Sequence, residues 1–346
     1  MTFLVIYVLI SIFIFTFLKQ FFLKKKFLIE NIKENKHKLL LKNNDNKPKL
    51  YLGGLYLLIT SYFIILNHNE KLIFCFISIF LVGLFSDINL LNSPKKRFFL
   101  QILIIFFLLF ISNTFVEQTR IEILDNMLSN LYFKIIFTSF CYLVLINGFN
   151  FIDGVNLNLL GYSLIVVFYL FVLSLNDFTE FNINFYFLIF GLTLLAFYNF
   201  NSSVLMGDAG AYLVGTIFGY FSIVIANNNI FISPIYILNL LWYPAFENLF
   251  SIIRKKFFKI NASYPDNFHL HHLIYKFLNK KFRQNLKNNN SLTGIIINLY
   301  NFIFIGLSTL IVNHSVGLSM LLLMNIVFYF TIYNFLYNQL RYSKLL

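Results

Sequence analysis

Eleven stretches of mostly apolar residues follow one another along the chain, separated by short polar segments. A membrane-spanning helix needs about 20 mostly apolar residues, so each stretch is a candidate span. Several stretches are short or contain Gly, Asn or Asp, which makes the number of spans about eleven. The pattern predicts an all-α, polytopic membrane protein that forms a single domain over residues 1–346. The candidate spans are 2–22, 50–66, 71–87, 98–115, 130–149, 157–175, 183–199, 205–226, 231–252, 293–313 and 316–338.

The amino-acid composition agrees with a membrane protein. Of the 346 residues, 59% are hydrophobic and only 12% are charged, whereas a soluble domain carries roughly 25% charged residues. The 47 Phe and 21 Tyr residues are the opposite of a disordered composition. The two cysteines, Cys75 and Cys141, both lie in apolar stretches and form neither a disulfide framework nor a zinc pattern. Soluble, disordered and disulfide-scaffold classes are therefore excluded.

Basic residues are distributed unevenly between the two sets of loops. The net charge is +13, and in a polytopic protein such an excess sets topology, so no nucleic-acid partner is expected. With the N-terminus outside, all but three of the 27 Lys and Arg residues fall on the inner side, the exceptions being Lys71, Arg120 and Lys134. This split predicts a cytoplasmic C-terminus and long basic cytoplasmic loops at about 23–49 and 253–292. The first stretch is followed rather than preceded by basic residues, which indicates an anchor and not a cleaved signal peptide.

Four polar clusters interrupt the apolar pattern: one ends the third stretch, one lies between the fifth and the sixth, one opens the eighth, and one lies in the loop 253–292. Ionisable groups at membrane depth are costly and are candidates for function. The topology, derived from Lys and Arg alone, places all four clusters on the cytoplasmic face, which predicts one site at that membrane surface. The clusters contain Ser86 and Asp87 followed by Lys95, Lys96 and Arg97; Asn147, Asn150, Asp153 and Asn156; Gly207, Asp208 and Gly210; and His269, His271 and His272.

These side chains suit the chemistry of phosphates. Carboxylate and amide oxygens are ligands for Mg²⁺ bound together with phosphate, Lys and His neutralise a diphosphate, and a Gly-rich helix start can bind an anion. Structural alternatives exist for each cluster: Asp87 as a solvated helix end, the Asn residues as polar contacts between helices, and Lys95 to Arg97 as topology determinants. The histidines have zinc-like spacing but lack nearby Cys partners. The glycines beside Asp208 indicate close approach by another group.

The order and spacing of all these motifs resemble the polyprenyl-phosphate N-acetylhexosamine-1-phosphate transferase family, from the motif at 48–54 to the one at 292–294. The His-Leu-His-His form looks closer to the glycan-initiating undecaprenyl-phosphate GlcNAc-1-phosphate transferase branch than to phospho-MurNAc-pentapeptide translocase. The resemblance implies transfer of a sugar 1-phosphate from a UDP-sugar to undecaprenyl phosphate, with release of UMP, in the bacterial inner membrane. It also implies Mg²⁺, with Mn²⁺ as a substitute, and a homodimer as one expected state.

The resemblance assigns roles by position. Asp208 and Asn150 match the family's Mg²⁺ ligands, and Lys96 matches a lysine that contacts the diphosphate. Asp153 and Asn156 fall where the family holds the nucleotide and shapes the site.

The resemblance also implies roles for the histidines, for Asn147 and Gly207, and for the Ser86-Asp87 pair. His269, His271 and His272 match the family's cytoplasmic His motif, expected near the diphosphate or sugar. Asn147 and Gly207 belong to the second and third motifs and are expected to contact substrate. Ser86 stands where the family has the first of two Asp residues, which leaves Asp87 as electrostatic organiser or base. The basic residue often found before the Gly-Asp motif is absent, with 203–205 reading Ser-Val-Leu.

The rival interpretation is a transporter or flippase for a lipid-linked or anionic substrate. A secondary transporter needs functional polar groups near mid-membrane, and the clusters on one face argue against it. A phosphatidyltransferase that uses a CDP-alcohol is a second enzyme alternative, but its DGxxAR-type acidic motif is missing from this chain. A purely structural membrane protein would leave the four clusters unexplained. Among donors, UDP-linked GlcNAc, GalNAc and a 6-deoxy relative all fit the sequence.

Overall fold

In the computed structural model, residues 2–29, 48–66, 70–175, 182–259, 267–282 and 286–342 are described. Much of the predicted loop 23–49, and residues 260–266 and 283–285 of the predicted loop 253–292, lie outside the described residues. The described chain is helical, and its β-pairing consists of isolated bridges. The helices are α1 (Thr2–Lys25), α2 (Gly53–Leu66), α3 (Leu72–Asp87), α4 (Pro94–Ser112), α5 (Glu122–Leu128), α6 (Leu131–Ile152), α7 (Asn158–Leu175), α8 (Asn182–Phe200), α9 (Gly207–Asn228), α10 (Pro234–Leu240), α11 (Trp242–Phe257), α12 (Leu270–Lys281), α13 (Leu286–Leu310) and α14 (Ser315–Tyr342).

The prediction of a polytopic helical membrane protein is confirmed. Among the described residues, 5 helices are long and apolar enough to cross a membrane, namely α1, α6, α9, α13 and α14. Three shorter apolar helices lie within α3, α7 and α8. Every predicted span overlaps a helix. The number of eleven spans and the orientation of the chain stay predictions.

The predicted span 231–252 is divided into two helices. Helix α10 ends at Leu240 and α11 begins at Trp242, with Leu241 between them. Pro244 is the physical reason, because proline has no N–H to pair with the carbonyl four residues earlier and its ring clashes there. Helices α5 and α12 were not predicted as separate elements and lie in loops of the sequence-based topology.

Helix α9 lies at the centre of the fold. In its most apolar window 89% of the residues are buried, and neighbouring helices approach it closely at glycines. A Cβ added at Gly54 would meet the backbone of Gly210, and one at Gly83 would meet the backbone of Ala209. Close backbone approach of this kind is typical of helix packing in membranes. The first turn of α9 is therefore enclosed by α2 and α3.

Short backbone pairing fixes the approach to α9. The Leu205 N–H donates to the Leu50 carbonyl at 2.8 Å, and the Gly53 N–H donates to the Leu205 carbonyl at 3.0 Å. The Tyr51 N–H donates to the Leu28 carbonyl at 2.8 Å. These bonds hold the beginnings of α2 and α9 beside the chain that leaves α1, at the end of the bundle where α3 and α6 finish.

Arg120 joins three loops at the other end of α9. Its guanidinium donates to the Asn313 carbonyl at 3.1 Å, to the Ser315 hydroxyl at 3.3 Å and to the Ile230 carbonyl. The segment before α5 is thereby connected to the α9–α10 and α13–α14 loops. One of the three basic residues outside the predicted inner loops thus has a structural role.

Candidate active site

Asp87, the last residue of α3, caps the N-terminus of α9. Its Oδ1 accepts the Asp208 N–H at 2.8 Å, and its Oδ2 accepts the Ala209 N–H at 3.1 Å. The N-cap residue of α9, Met206, makes no side-chain cap of its own. A carboxylate at this position satisfies unpaired N–H groups and interacts favourably with the helix dipole. The solvated helix end considered from the sequence is instead a contact between two helices.

Gly207 is required by this cap. Its φ is +69°, in the left-handed region that other residues occupy at a cost. A Cβ added there would lie 2.5 Å from Oδ2 and 2.8 Å from Oδ1 of Asp87. The close approach that the glycines indicated is therefore made by the protein itself. Asp87 packs against Gly207, whereas Gly210 is approached by both Met206 and Gly54. Substrate contact by Gly207 stays a prediction.

Ser86, Arg97 and Asp208 form a hydrogen-bonded group beside the cap. The Ser86 hydroxyl donates to Oδ2 of Asp208 at 2.6 Å, and the Arg97 guanidinium donates to the same oxygen at 2.5 Å. The guanidinium also reaches the Ser86 oxygen at 2.6 Å. The side chains of Arg97 and Asp208 are 21% and 25% exposed, so the pair is open to a ligand. We refer to Ser86, Asp87, Arg97 and Asp208 as the acid–arginine cluster.

Arg97 was part of the first polar cluster in the sequence, but Lys96 and not Arg97 was chosen as the site residue. Both lie in the first turn of α4, which begins at Pro94 after the N-cap Ser93. Neighbouring helical residues point about 100° apart, because a helix has 3.6 residues per turn. Arg97 faces Asp208, whereas Lys96 is exposed and lines an apolar groove with Leu91 and Phe99. Contact between Lys96 and a diphosphate stays a prediction.

The last turns of α6 bring the second cluster to the first turn of α9. Gly219 packs against Tyr142 and Gly215 packs against Ile146, which is an antiparallel pairing that advances by four residues. One further turn of the same register puts Asn150 opposite Ala211, within one turn of Asp208. On this register the two residues predicted to bind Mg²⁺ would lie on facing turns of α6 and α9. Asp153 is half-buried at the end of α6.

Asn147 and Asn156 hold helices together. Asn147 donates to the buried Gln101 side chain of α4 at 3.0 Å and to the Leu143 carbonyl at 2.9 Å. Asn156 is 5% exposed, and its amide donates to the Ser202 hydroxyl at 2.6 Å. Its backbone N–H donates to Asn290 at 2.7 Å. These contacts match the structural alternative for both residues and leave their predicted substrate contacts untested.

The histidine motif lies against the same end of α6. The ring centroids of His269 and Phe151 are 5.2 Å apart, and those of His271 and His272 are 4.1 Å apart. A Cβ added at Gly154 would collide with the His271 ring. The end of α6 and the turn after it thus contact the histidines. Helix α6 also packs against α9, whose first turn contains Asp208 of the acid–arginine cluster. We refer to His269, His271 and His272 with Glu247 as the histidine cluster.

Glu247, in α11, is the member of this cluster that sequence reasoning missed. It is 0% exposed, and its Oε2 lies 3.0 Å from Nδ1 of His269. An acidic residue inside an apolar stretch is a functional candidate by default. That signal was present in the sequence at 231–252.

His271 is fully buried, with both ring nitrogens lacking a hydrogen-bond partner among the described residues. Burial lowers the pKa of His271 well below its ordinary value, and the neighbouring His272, His269 and Arg254 lower it further. The ring is therefore neutral near pH 7, and one nitrogen is an acceptor. A neutral imidazole can accept a hydrogen bond from a sugar hydroxyl or amide.

Two buried cations lie beside the histidine cluster. Arg254 donates to the Phe268 carbonyl at 2.7 Å and to the Tyr333 hydroxyl at 3.3 Å. The Nζ of Lys255 lies 5.8 Å from the centroid of the Phe151 ring. With Arg97, they give this end of the bundle the positive charge that an anionic substrate needs.

The donor set of the acid–arginine cluster fits Mg²⁺ better than zinc. Within the described part of the chain, no group of three or more His, Cys, Asp or Glu side chains could hold a metal ion. Mg²⁺ commonly takes one or two carboxylates and completes its shell with waters and substrate phosphates. Asp208 could supply one carboxylate and Asn150 one amide oxygen to such an ion. Mg²⁺ binding by these two residues stays a prediction.

Part of the chain matches a known protein family. Residues 71–226 match the model of Glycosyl transferase family 4. The matched segment runs from the start of α3 almost to the end of α9 and contains the whole acid–arginine cluster. None of the curated proteins compared with the chain matches it. The match supports a transferase of sugar phosphates, which is the resemblance drawn from the motifs in its coarser form.

Proposed function

We propose that this protein transfers an N-acetylhexosamine-type sugar 1-phosphate from a UDP-sugar to undecaprenyl phosphate, releasing UMP. The product would begin a lipid-linked glycan of the bacterial cell envelope, such as O-antigen, at the cytoplasmic face of the inner membrane. The observation that carries the proposal is that the Asp208–Arg97 pair and the histidine cluster lie toward the same end of a bundle of apolar helices, the end where α6 finishes. The family match over 71–226 supplies the reaction class.

The reaction is a direct displacement at phosphorus. An oxygen of the lipid phosphate attacks the β-phosphorus of the UDP-sugar and forms a new P–O bond. The bond from the β-phosphorus to the oxygen that bridges the two phosphates breaks, and its electron pair leaves with UMP. No atom is oxidised or reduced, and the sugar keeps its bond to the transferred phosphate.

Asp87 supports this mechanism as an organiser of the site. Both of its carboxylate oxygens accept N–H groups from the start of α9, which leaves it poorly placed to remove a proton. A phosphate monoester has a second pKa near 6, so the acceptor is mostly dianionic at neutral pH. The displacement therefore needs no protein base, and Ser86 in place of a second acid is compatible with turnover.

Charge neutralisation is the main task left for the protein. Arg97, paired with Asp208 at a partly exposed position, is the residue proposed to neutralise a phosphate oxygen, and Lys255 and the histidines would add positive charge and hydrogen bonds. When bound, Mg²⁺ would be held by Asp208 and Asn150 and would neutralise charge on the diphosphate oxygens. Asp153 is assigned to the nucleotide.

The acceptor lipid would approach along α4. Leu91, Phe99 and Leu100 line an apolar groove beside Lys95 and Lys96. Apolar walls next to two ammonium groups suit a prenyl chain that carries a phosphate at its end. Arg97 lies in the first turn of the same helix, so a phosphate bound beside Lys95 and Lys96 would be near the acid–arginine cluster.

The decisive experiment measures UMP release by the purified protein. Undecaprenyl phosphate and a panel of UDP-sugars are supplied with and without Mg²⁺, for wild type, Asp208→Asn and the control Asp125→Asn. Asp125 is a second partly buried acid, bonded to Thr119 at 2.6 Å near the opposite end of α6. We expect release that needs both the lipid and Mg²⁺, loss with Asp208→Asn and retention with Asp125→Asn. Absence of release with every donor would refute the proposal.

A further inference from the structure

Glu247 is a fully buried acid with three partners. Its Oε1 accepts the Tyr329 hydroxyl at 2.8 Å and the Leu270 N–H at 3.2 Å, and its Oε2 lies 3.0 Å from Nδ1 of His269. Burying a carboxylate is costly unless hydrogen bonds or a charge partner compensate it. Three donors around one 0% exposed group give that compensation.

The contact with Glu247 determines where His269 carries its hydrogen. An ionised carboxylate only accepts hydrogen bonds, so the Nδ1 that faces it must be an N–H. In the neutral imidazole the other nitrogen, Nε2, is then the acceptor, and in the imidazolium it becomes a second donor. The ring is also held from its sides, because it lies 5.6 Å from the His271 ring at an interplanar angle of 8°.

Glu247 also fixes the helix that carries the other histidines. His269 is the N-cap residue of α12 but makes no side-chain cap. The Leu270 N–H, the first of that helix, is instead satisfied by Glu247. A single carboxylate on α11 thus sets the start of α12 and the direction of the His269 ring together.

We propose that Glu247 is a positioning residue that holds His269 with its hydrogen on Nδ1 and presents Nε2 to the diphosphate or sugar of the donor. The catalytic consequence rests on the proposed function, whereas the tautomer of His269 does not. A merely structural acid would cap α12 and leave the reactive state of His269 to other groups. The two roles differ in what happens to the ring nitrogens when Glu247 is replaced.

The test reads the tautomer directly. The chain has 6 His residues, so ¹⁵N-histidine NMR of the full-length protein in lipid gives a small set of signals, and His269→Asn identifies those of His269. We expect hydrogen on Nδ1 in wild type, loss of that pattern in Glu247→Leu, and its retention in Tyr329→Phe. Tyr329→Phe is the matched control, because it removes one bond to Glu247 without touching His269.

Turnover provides the second measurement. Glu247→Gln keeps the size of the side chain but removes its charge and replaces one acceptor oxygen with an NH₂ donor, so it remains informative where Glu247→Leu fails to fold. We expect its kcat to fall roughly 10²-fold, the scale of losing one oriented donor, with KM for the UDP-sugar little changed. Tyr329→Phe should stay within about threefold of wild type, a change of less than 1 kcal/mol.

The outcomes separate this inference from the proposed function. An unchanged Nδ1–H pattern in Glu247→Leu, or in Glu247→Gln together with unchanged kcat, would overturn the positioning role. A wild-type protein that releases no UMP would refute the transferase proposal, and the NMR result would still decide whether Glu247 sets the tautomer.

Discussion

Replacing Gly207 with Ala should separate the cap from direct substrate contact. The residue has a φ of +69°, and a left-handed conformation costs a non-glycine residue roughly 1–2 kcal/mol. The added methyl would also lie 2.5 Å from Oδ2 of Asp87, so Asp87 must move and release the start of α9. Loss of a helix cap costs about 1 kcal/mol. Together these effects predict a destabilisation of roughly 2–3 kcal/mol.

Unfolding can be followed through a single natural probe. The chain has 1 Trp, Trp242, which is buried and donates to Asn301 at 2.9 Å. SDS titration in mixed micelles, monitored by its fluorescence, compares Gly207→Ala with the control Gly191→Ala. At Gly191, inside α8, a Cβ would first meet the Thr60 side chain at 3.0 Å. The control should be close to neutral, because alanine favours a helix by about 0.5–1 kcal/mol over glycine, which offsets the close contact with Thr60.

The refuting result is a specific one. If Gly207→Ala unfolds at the same SDS concentration as wild type while KM for the UDP-sugar rises, the glycine serves a ligand and not the cap. Asp87→Asn gives an independent check, since Asn offers one acceptor oxygen to two N–H groups. It should destabilise the protein less than Gly207→Ala.

Three further predictions concern the same end of the bundle. Arg97→Met should lower kcat roughly 10²-fold, whereas Lys96→Met should act mainly on KM for the lipid; equal effects would contradict the assignment of Arg97 to Asp208. The Ser86 hydroxyl lies 2.6 Å from Oδ2 of Asp208, so Ser86→Asp puts a second carboxylate beside the first. The affinity for Mn²⁺, measured by EPR, should then rise severalfold, and unchanged affinity would argue against a cation there. Burial lowers the pKa of His271 in the folded protein, whereas in the unfolded chain this side chain takes up a proton below pH about 6.5. The free energy of unfolding should therefore fall as the pH drops through that value. The fall should be steeper in wild type than in His271→Gln.

Hydrophobic patterning predicted the helices well because each needs a long apolar stretch. It merged α10 and α11, although Pro244 within 231–252 was a visible break signal. It also missed α12, in which apolar residues are mixed with His, Asn and Lys and which lies in a loop of the sequence-based topology. An amphipathic helix at a membrane surface is too polar to be recognised by a search for spans.

The sequence grouped the residues of the candidate site, but it did not predict their contacts with one another. Polar clusters at span ends indicated Asp87 and Asp208, because such groups are rare there, and the histidines were chosen from a cluster in the loop 253–292. Choosing between Lys96 and Arg97 required the rotation of α4, which the sequence of one turn does not determine. Glu247 was overlooked since it lies alone in an apolar stretch, without a neighbouring motif. Its partners His269 and Tyr329 come from other helices.

The two caps made across helices have a consequence for biogenesis. Helices α9 and α12 each begin without a cap of their own, and their caps, Asp87 and Glu247, belong to α3 and α11. As the chain is synthesised, Asp87 enters the membrane long before Asp208 exists, and Glu247 precedes its last partner, Tyr329, by 82 residues. Neither helix start can be completed until separate insertion events have brought these segments together. The candidate site is thus completed only when nearly the whole chain has been inserted, so that a partly translated protein would carry the candidate residues without the contacts that arrange them.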